Sequence, residues 1–91
     1  MGIKLTTVFT FKIKTTFDQW LEFFDSNESC ERLSEFDFKP LYRGQSKQDQ
    51  QKVIVIHQAP EGNMQKFFEF HGSWIATHGV NILTIEVSDW I

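Results

Sequence analysis

Three side chains offer chemistry: His57, which follows an apolar run, and the neighbours Tyr42 and Arg43. An imidazole exchanges a proton near neutral pH, a guanidinium grips a carboxylate in a two-pronged fork, and a phenol donates to a carbonyl or enolate oxygen. Together they would suit a small organic acid or ketone. Successive side chains of a strand point to opposite faces, however, so at most one of Tyr42 and Arg43 shares a pocket with His57. The competing reading is a histidine at the edge of the core and a surface ion pair.

His71 and His78 stand seven residues apart. On a helix this spacing puts both on one face but about 10 Å apart along the axis, too far to hold one metal as a pair. Both fall on an apolar stripe, where a ring packs and one nitrogen reaches a carbonyl or water; the alternative is that His71 lines a cavity between helix and sheet. Trp20 and Trp74 also lie on helical stripes and read first as core, with Trp20 the second candidate to line such a cavity. No metal-ligand spacing, Gly-rich phosphate loop or nucleophile elbow occurs, so neither metal nor cofactor is expected. The single cysteine, Cys30, cannot form an intrachain disulfide, which fits a reducing cytosol, and it reads as a small half-buried side chain rather than a reactive thiol.

The elements that must position these groups follow from the hydrophobic pattern. Leu5 to Lys14 alternates, with Leu5, Phe9, Phe11 and Ile13 on one face and Thr6, Thr10, Lys12 and Lys14 on the other, which predicts a strand. Thr15 or Thr16 then caps a helix carrying Phe17, Trp20, Leu21 and Phe24 on one stripe. This helix should bend or break around Asp25-Ser26-Asn27, all weak helix formers, before a further turn or two carries Cys30 and Leu33 towards Phe36. Phe38 to Gly44 is expected to be extended, with Pro40 favouring a strand start or a sheet edge. The polar tract from Gln45 to Gln51 reads as a hairpin connection to a strand at Lys52 to Ala59. After Pro60-Glu61-Gly62, a second main helix carries Met64, Phe67, Phe68, His71, Trp74, Ile75 and His78 and stops at Gly79. Val80 to Ile91 closes as a strand, with Leu83, Ile85 and Val87 predicted on one face and Ile82, Thr84 and Glu86 on the other.

The resulting order, βαββαβ, predicts a ferredoxin-like α+β fold over residues 1–91 as one domain: a four-stranded antiparallel sheet with two helices on one face. The run Val53, Ile54, Val55, Ile56 complicates this picture, because a strand with one wet face normally alternates. Its second face therefore calls for cover, and a second copy of the chain is the simplest cover. Val53, Ile54, Val55 and Ile56 are accordingly the expected interface residues of a homodimer built through its sheets.

A resemblance adds to this reading. The run Thr7-Val8-Phe9-Thr10-Phe11-Lys12, the block Lys39-Pro40-Leu41-Tyr42-Arg43-Gly44, the segment Lys52-Val53-Ile54-Val55-Ile56-His57-Gln58-Ala59 and the ending at Trp90 together resemble a cyanobacterial family of short proteins of unknown function. The resemblance covers almost the whole chain. It implies a dimeric α+β barrel, a fold shared with stress-responsive barrel proteins and cofactor-free monooxygenases, and it implies a fold rather than an activity.

Several functions are excluded or disfavoured by what is missing. A net charge of −3 without a basic run argues against nucleic-acid binding. An RNA-recognition module of this topology needs an aromatic platform on its third strand, where this chain has Val53 to Ile56. A metallochaperone needs paired cysteines after the first strand, where Lys14-Thr15-Thr16-Phe17 has none, and an amino-acid-sensing module usually needs glycine in that same loop. No membrane-length apolar stretch or signal-peptide core is present, so the cytoplasm is expected. Met1 to Thr6 fits the loose N-myristoylation template, but the following residues read as a core strand and leave little free arm.

The sequence thus predicts a cytoplasmic homodimeric binding or accessory module with a pocket for a small apolar or carboxylate-bearing ligand. The alternatives are a cofactor-independent monooxygenase or isomerase acting on a small hydrophobic acid or ketone, and a purely structural subunit.

Overall fold

Alternation in the first strand decides which way the sheet faces. In a computed structural model describing residues 3–91, Thr7, Phe9, Phe11 and Ile13 are buried under the helices, while Thr6, Val8 and Thr10 lie half-covered on the other side. The elements run β1 (Lys4–Ile13), α1 (Phe17–Phe24), α2 (Asn27–Glu35), β2 (Lys39–Gln45), β3 (Lys52–Pro60), α3 (Asn63–Thr77) and β4 (Val80–Trp90). The strands form one antiparallel sheet in the order β2-β3-β1-β4, the arrangement of a ferredoxin-like α+β fold. Met1 and Gly2, on which the myristoylation template depends, lie outside the described residues.

The helical layer contains three helices where two main helices were expected. Thr16 caps α1 with a reciprocal box: its hydroxyl accepts from the Gln19 N–H while the Gln19 side chain accepts from the Thr16 N–H. The chain breaks at Asp25 and Ser26, and Ser26 immediately caps α2 by accepting from the Ser29 N–H. This break resets the helical phase, so Ser29 and Leu33 face the core and Cys30 faces solvent, against the expectation of a half-buried thiol. α2 closes by donating the Asp37 N–H to the Ser34 carbonyl and the Phe38 N–H to the Leu33 carbonyl. Asp37 takes up the left-handed conformation that this ending requires, at φ 57°. The turn delivers Phe38 into the core.

The two edge strands are both irregular. In β2 the pairing with β3 shifts between Pro40, opposite His57, and Tyr42, opposite Ile56, which leaves Leu41 as a bulge residue exposed to solvent. In β4 a larger slip occurs: Thr10 pairs with Glu86, yet Lys12 pairs with Asn81. The extra residues loop out, and the Thr84 hydroxyl stands in for the missing ladder acceptor, accepting from the Lys12 N–H at 2.8 Å and donating to the Asn81 carbonyl at 2.7 Å. The predicted alternation of Leu83, Ile85 and Val87 is broken as a result. Leu83 is 93% exposed, and only Ile85 of the three packs against the core.

The continuous run in β3 divides cleanly. Val53 and Val55 are 1% and 3% exposed and belong to the core beneath the helices. Ile54 and Ile56 lie half-buried on the opposite face. The chain's own helices therefore take up the two valines, against the expectation that all four residues face a second copy, and leave Ile54 and Ile56 on the open face.

Candidate functional site

His57 reaches the core because β3 alternates in phase with Val53 and Val55, and it is 4% exposed. Its ring meets three phenylalanines at steep angles: Phe9 at 5.8 Å, Phe24 at 5.6 Å and Phe38 at 5.5 Å between centroids. Neither Nδ1 nor Nε2 has a hydrogen-bond partner among the described residues. Burial, and then the nearby Arg43 charge, push its pKa down to about 4. At neutral pH this imidazole is uncharged, with one donor and one acceptor unused.

Arg43 pairs across the sheet with Val55 and so points to the His57 side, whereas Tyr42 pairs with Ile56 and points to the other. The expectation that at most one of the two shares His57's side is thus met by Arg43. Its guanidinium is already occupied: it forms an ion pair with Asp25 at the end of α1 and lies over the Phe24 ring at 5.1 Å from the centroid. Tyr42 is exposed, and its ring folds so closely over Gly44 that a Cβ there would stand 2.8 Å from the phenolic oxygen.

Between sheet and helices lies an apolar cavity of about 70 Å³. His57 and Trp20 contribute to its wall together with Phe24, Phe38, Phe67 and Trp74. Trp20 is 2% exposed and packs against Phe11, Phe17 and Phe24. His71 does not join this wall. It packs on Phe67 at 5.2 Å and Phe36 at 5.7 Å, with the Glu35 carboxylate 3.6 Å from Nε2, too long for a hydrogen bond. His78 stacks flat on Phe23 at 4.0 Å, and Arg32 lies over Trp74 at 4.2 Å, which ties α2 and α1 to α3 at the cavity's outer side.

Of the sequence candidates, then, the structure brings together His57 and Trp20, keeps Arg43 nearby but paired, and sends Tyr42 and His71 elsewhere. What sequence reasoning missed is Asp25, read only as a helix breaker, and the wall residues Phe38 and Ser29. Asp25 and Arg43 meet through tertiary packing that no local pattern encodes. Ser29 could have been found by restarting the helical phase at Ser26. No group of three or more His, Cys, Asp or Glu able to hold a metal ion occurs among the described residues, and no helix among them is long and apolar enough to cross a membrane.

With this geometry in hand, comparison with known proteins adds one decisive match. The family model described as a domain of unknown function, DUF3764, matches residues 3–91. The chain belongs to that family. No curated protein matches this chain. Among solved structures, the apo form of CPII from Thiomonas intermedia K12, a nitrogen regulatory PII-like protein, aligns with TM-score 0.51 and 10% identity, over 99% of this chain and 92% of that one. The structure of CPII from the same organism bound to ADP and bicarbonate aligns with TM-score 0.49 and 11% identity, over 99% and 89% of the two chains. At 10% identity the likeness to apo CPII is one of fold alone.

Proposed function

We propose that this DUF3764 chain is a small-molecule binding or accessory module whose pocket lies between the sheet and the helices. The observation that carries the reading is the cavity of about 70 Å³ with His57 in its wall, both ring nitrogens buried and without a partner among the described residues. An unsatisfied buried polar group costs about 1–3 kcal/mol. A core filled for stability alone would hold leucine there. Retaining an imidazole is understandable if a ligand's polar group completes it.

The active unit in this reading is a cytoplasmic homodimer of cyanobacterial origin. A second copy covers the open sheet face, where Val8, Ile54 and Ile56 are half-buried and Tyr42 and Trp90 stand exposed at either side. A cofactor-independent monooxygenase or isomerase is favoured by the joint presence of His57 and Trp20 in one cavity. Against it, a base with a pKa of about 4 takes up protons poorly at neutral pH, and the wall holds no second titratable side chain among the described residues. Binding is the better account.

A thermal-shift screen of small organic molecules tests the pocket. At least one should raise the melting temperature of the wild type but not of Ser29→Leu, which fills the cavity from α2. No shift with any compound contradicts the reading. Sedimentation at micromolar concentration tests the assembly, with twice the 10.7 kDa chain mass expected and the monomer mass contradicting it.

A further inference from the structure

The cavity's wall also restricts the kind of molecule that enters it. We infer that its ligand is uncharged, is small enough for a cavity of about 70 Å³, and carries one hydroxyl or carbonyl that bonds to His57. This inference rests on the binding reading and deepens it.

Charge is the first filter. No Lys, Arg, Asp or Glu among the described residues lines the cavity, and the two guanidiniums that lie over rings of its wall are both engaged, Arg43 by Asp25 and Arg32 by Glu28. A carboxylate or an ammonium entering this space would leave water with nothing of opposite sign to receive it, and such a transfer is far more costly than that of a hydroxyl. The carboxylate-bearing ligand expected from His57 with Arg43 is therefore disfavoured, because the arginine that would have gripped it is already paired.

Polarity is the second filter. A wholly apolar ligand would leave both nitrogens of His57 as they are. A hydroxyl can donate to the unprotonated ring nitrogen or accept from the protonated one, and a carbonyl can accept, so either completes half of what the imidazole lacks. Both nitrogens are buried and neither faces the cavity as the ring stands, so a ligand bonds to His57 only after the imidazole turns about χ2, a soft torsion.

Size is the third filter. Seven Phe rings, from Phe9, Phe11, Phe23, Phe24, Phe38, Phe67 and Phe68, border the space and leave about 70 Å³. A molecule this small binds no tighter than about micromolar, given the ceiling on affinity per atom. The inferred class is the short-chain alcohols and ketones, and the role that fits such affinity is sensing or buffering at high ligand concentration.

The test uses NMR of the full chain, reading the His57 ring and the Trp74 indole N–H during titration with 1-butanol, 2-butanone, butyrate and butylammonium, and separately with xenon. The expected result is saturable shifts with the alcohol and the ketone, and none with the two ions at equal concentration. His57→Leu should keep its response to xenon and bind 1-butanol about tenfold more weakly. Equal or stronger shifts with butyrate or butylammonium overturn the uncharged class while leaving the pocket standing. Xenon binding without any response to the four-carbon series has the same meaning. No response to xenon or to any compound overturns the inference and the binding reading together, and undiminished 1-butanol binding by His57→Leu removes His57 from the site.

Discussion

The two faces of the sheet are built from the same strands and have opposite characters. On the helix side, Phe9 and Phe11 of β1 and Val53, Val55 and His57 of β3 are all buried, and the one polar side chain among them has no partner among the described residues. On the open side, Thr6, Val8 and Thr10 of β1 and Ile54 and Ile56 of β3 are only half-covered. Hydrophobicity alone does not distinguish Val55 from Ile56. Register does: one residue along the strand moves a side chain from beneath three helices to the surface. The contrast teaches that register divides the apolar run in β3, with its valines holding the fold and its isoleucines left half-covered on the open face.

The largest effect expected from breaking this contrast comes from one charge placed on each face. Val55→Glu puts a carboxylate among Phe rings and should unfold the chain, a loss beyond about 4 kcal/mol. Ile56→Glu should fold with a loss of about 1 kcal/mol or less and sediment as a monomer. Urea denaturation with sedimentation separates the two, and a folded, monomeric Val55→Glu would mean that the faces are assigned the wrong way round.

A smaller effect sharpens the contrast from the helix side alone. The folded pKa of His57 is depressed to about 4, below its ordinary 6.5, so the unfolded chain binds a proton that the native chain refuses. Stability is therefore fully present above pH 6.5 and is lost as the pH falls from there towards 4, by about 3 kcal/mol in all. His57→Leu should abolish that part of the slope and, at pH 7, be at least as stable as the wild type, because it removes an unsatisfied polar group. Equal slopes in wild type and variant between pH 6.5 and 4.5, measured by denaturant unfolding, would place the imidazole in contact with water.

The smallest effect concerns the element that carries Trp20 to the cavity. Thr16→Ala removes one half of the capping box of α1 and should cost about 1 kcal/mol. Circular-dichroism melts would register this as a modest fall in melting temperature, and no fall would mean that tertiary packing alone holds the helix start.

Much of this architecture was legible in the sequence because it depends on local rules. The alternation of β1, the cap at Thr16, the break near Asp25 and the edge position of Pro40 each follow from a few neighbouring residues. Other features depend on meetings between distant segments. The slip in β4 exists because the Thr84 hydroxyl replaces a backbone acceptor for Lys12, and no pattern in Ile82 and Leu83 announces that they will be left in solvent. The same applies to the candidate site: that Arg43 and not Tyr42 would join His57's side depended on the register with β3, and Arg43's engagement by Asp25 depended on where α1 ends. His71 shares the stripe of α3 with Phe67 and Trp74, yet it sits towards Glu35 and Phe36, a position set by α2 packing beside it.

The account stands on an imidazole kept neutral inside an apolar cavity, and an NMR titration of the His57 ring measures this directly. Its carbon-bound proton shifts should stay constant from pH 7.5 to 5 and move only as the pH approaches about 4. A midpoint near the ordinary histidine value of about 6.5, in a chain that is still folded, would contradict it.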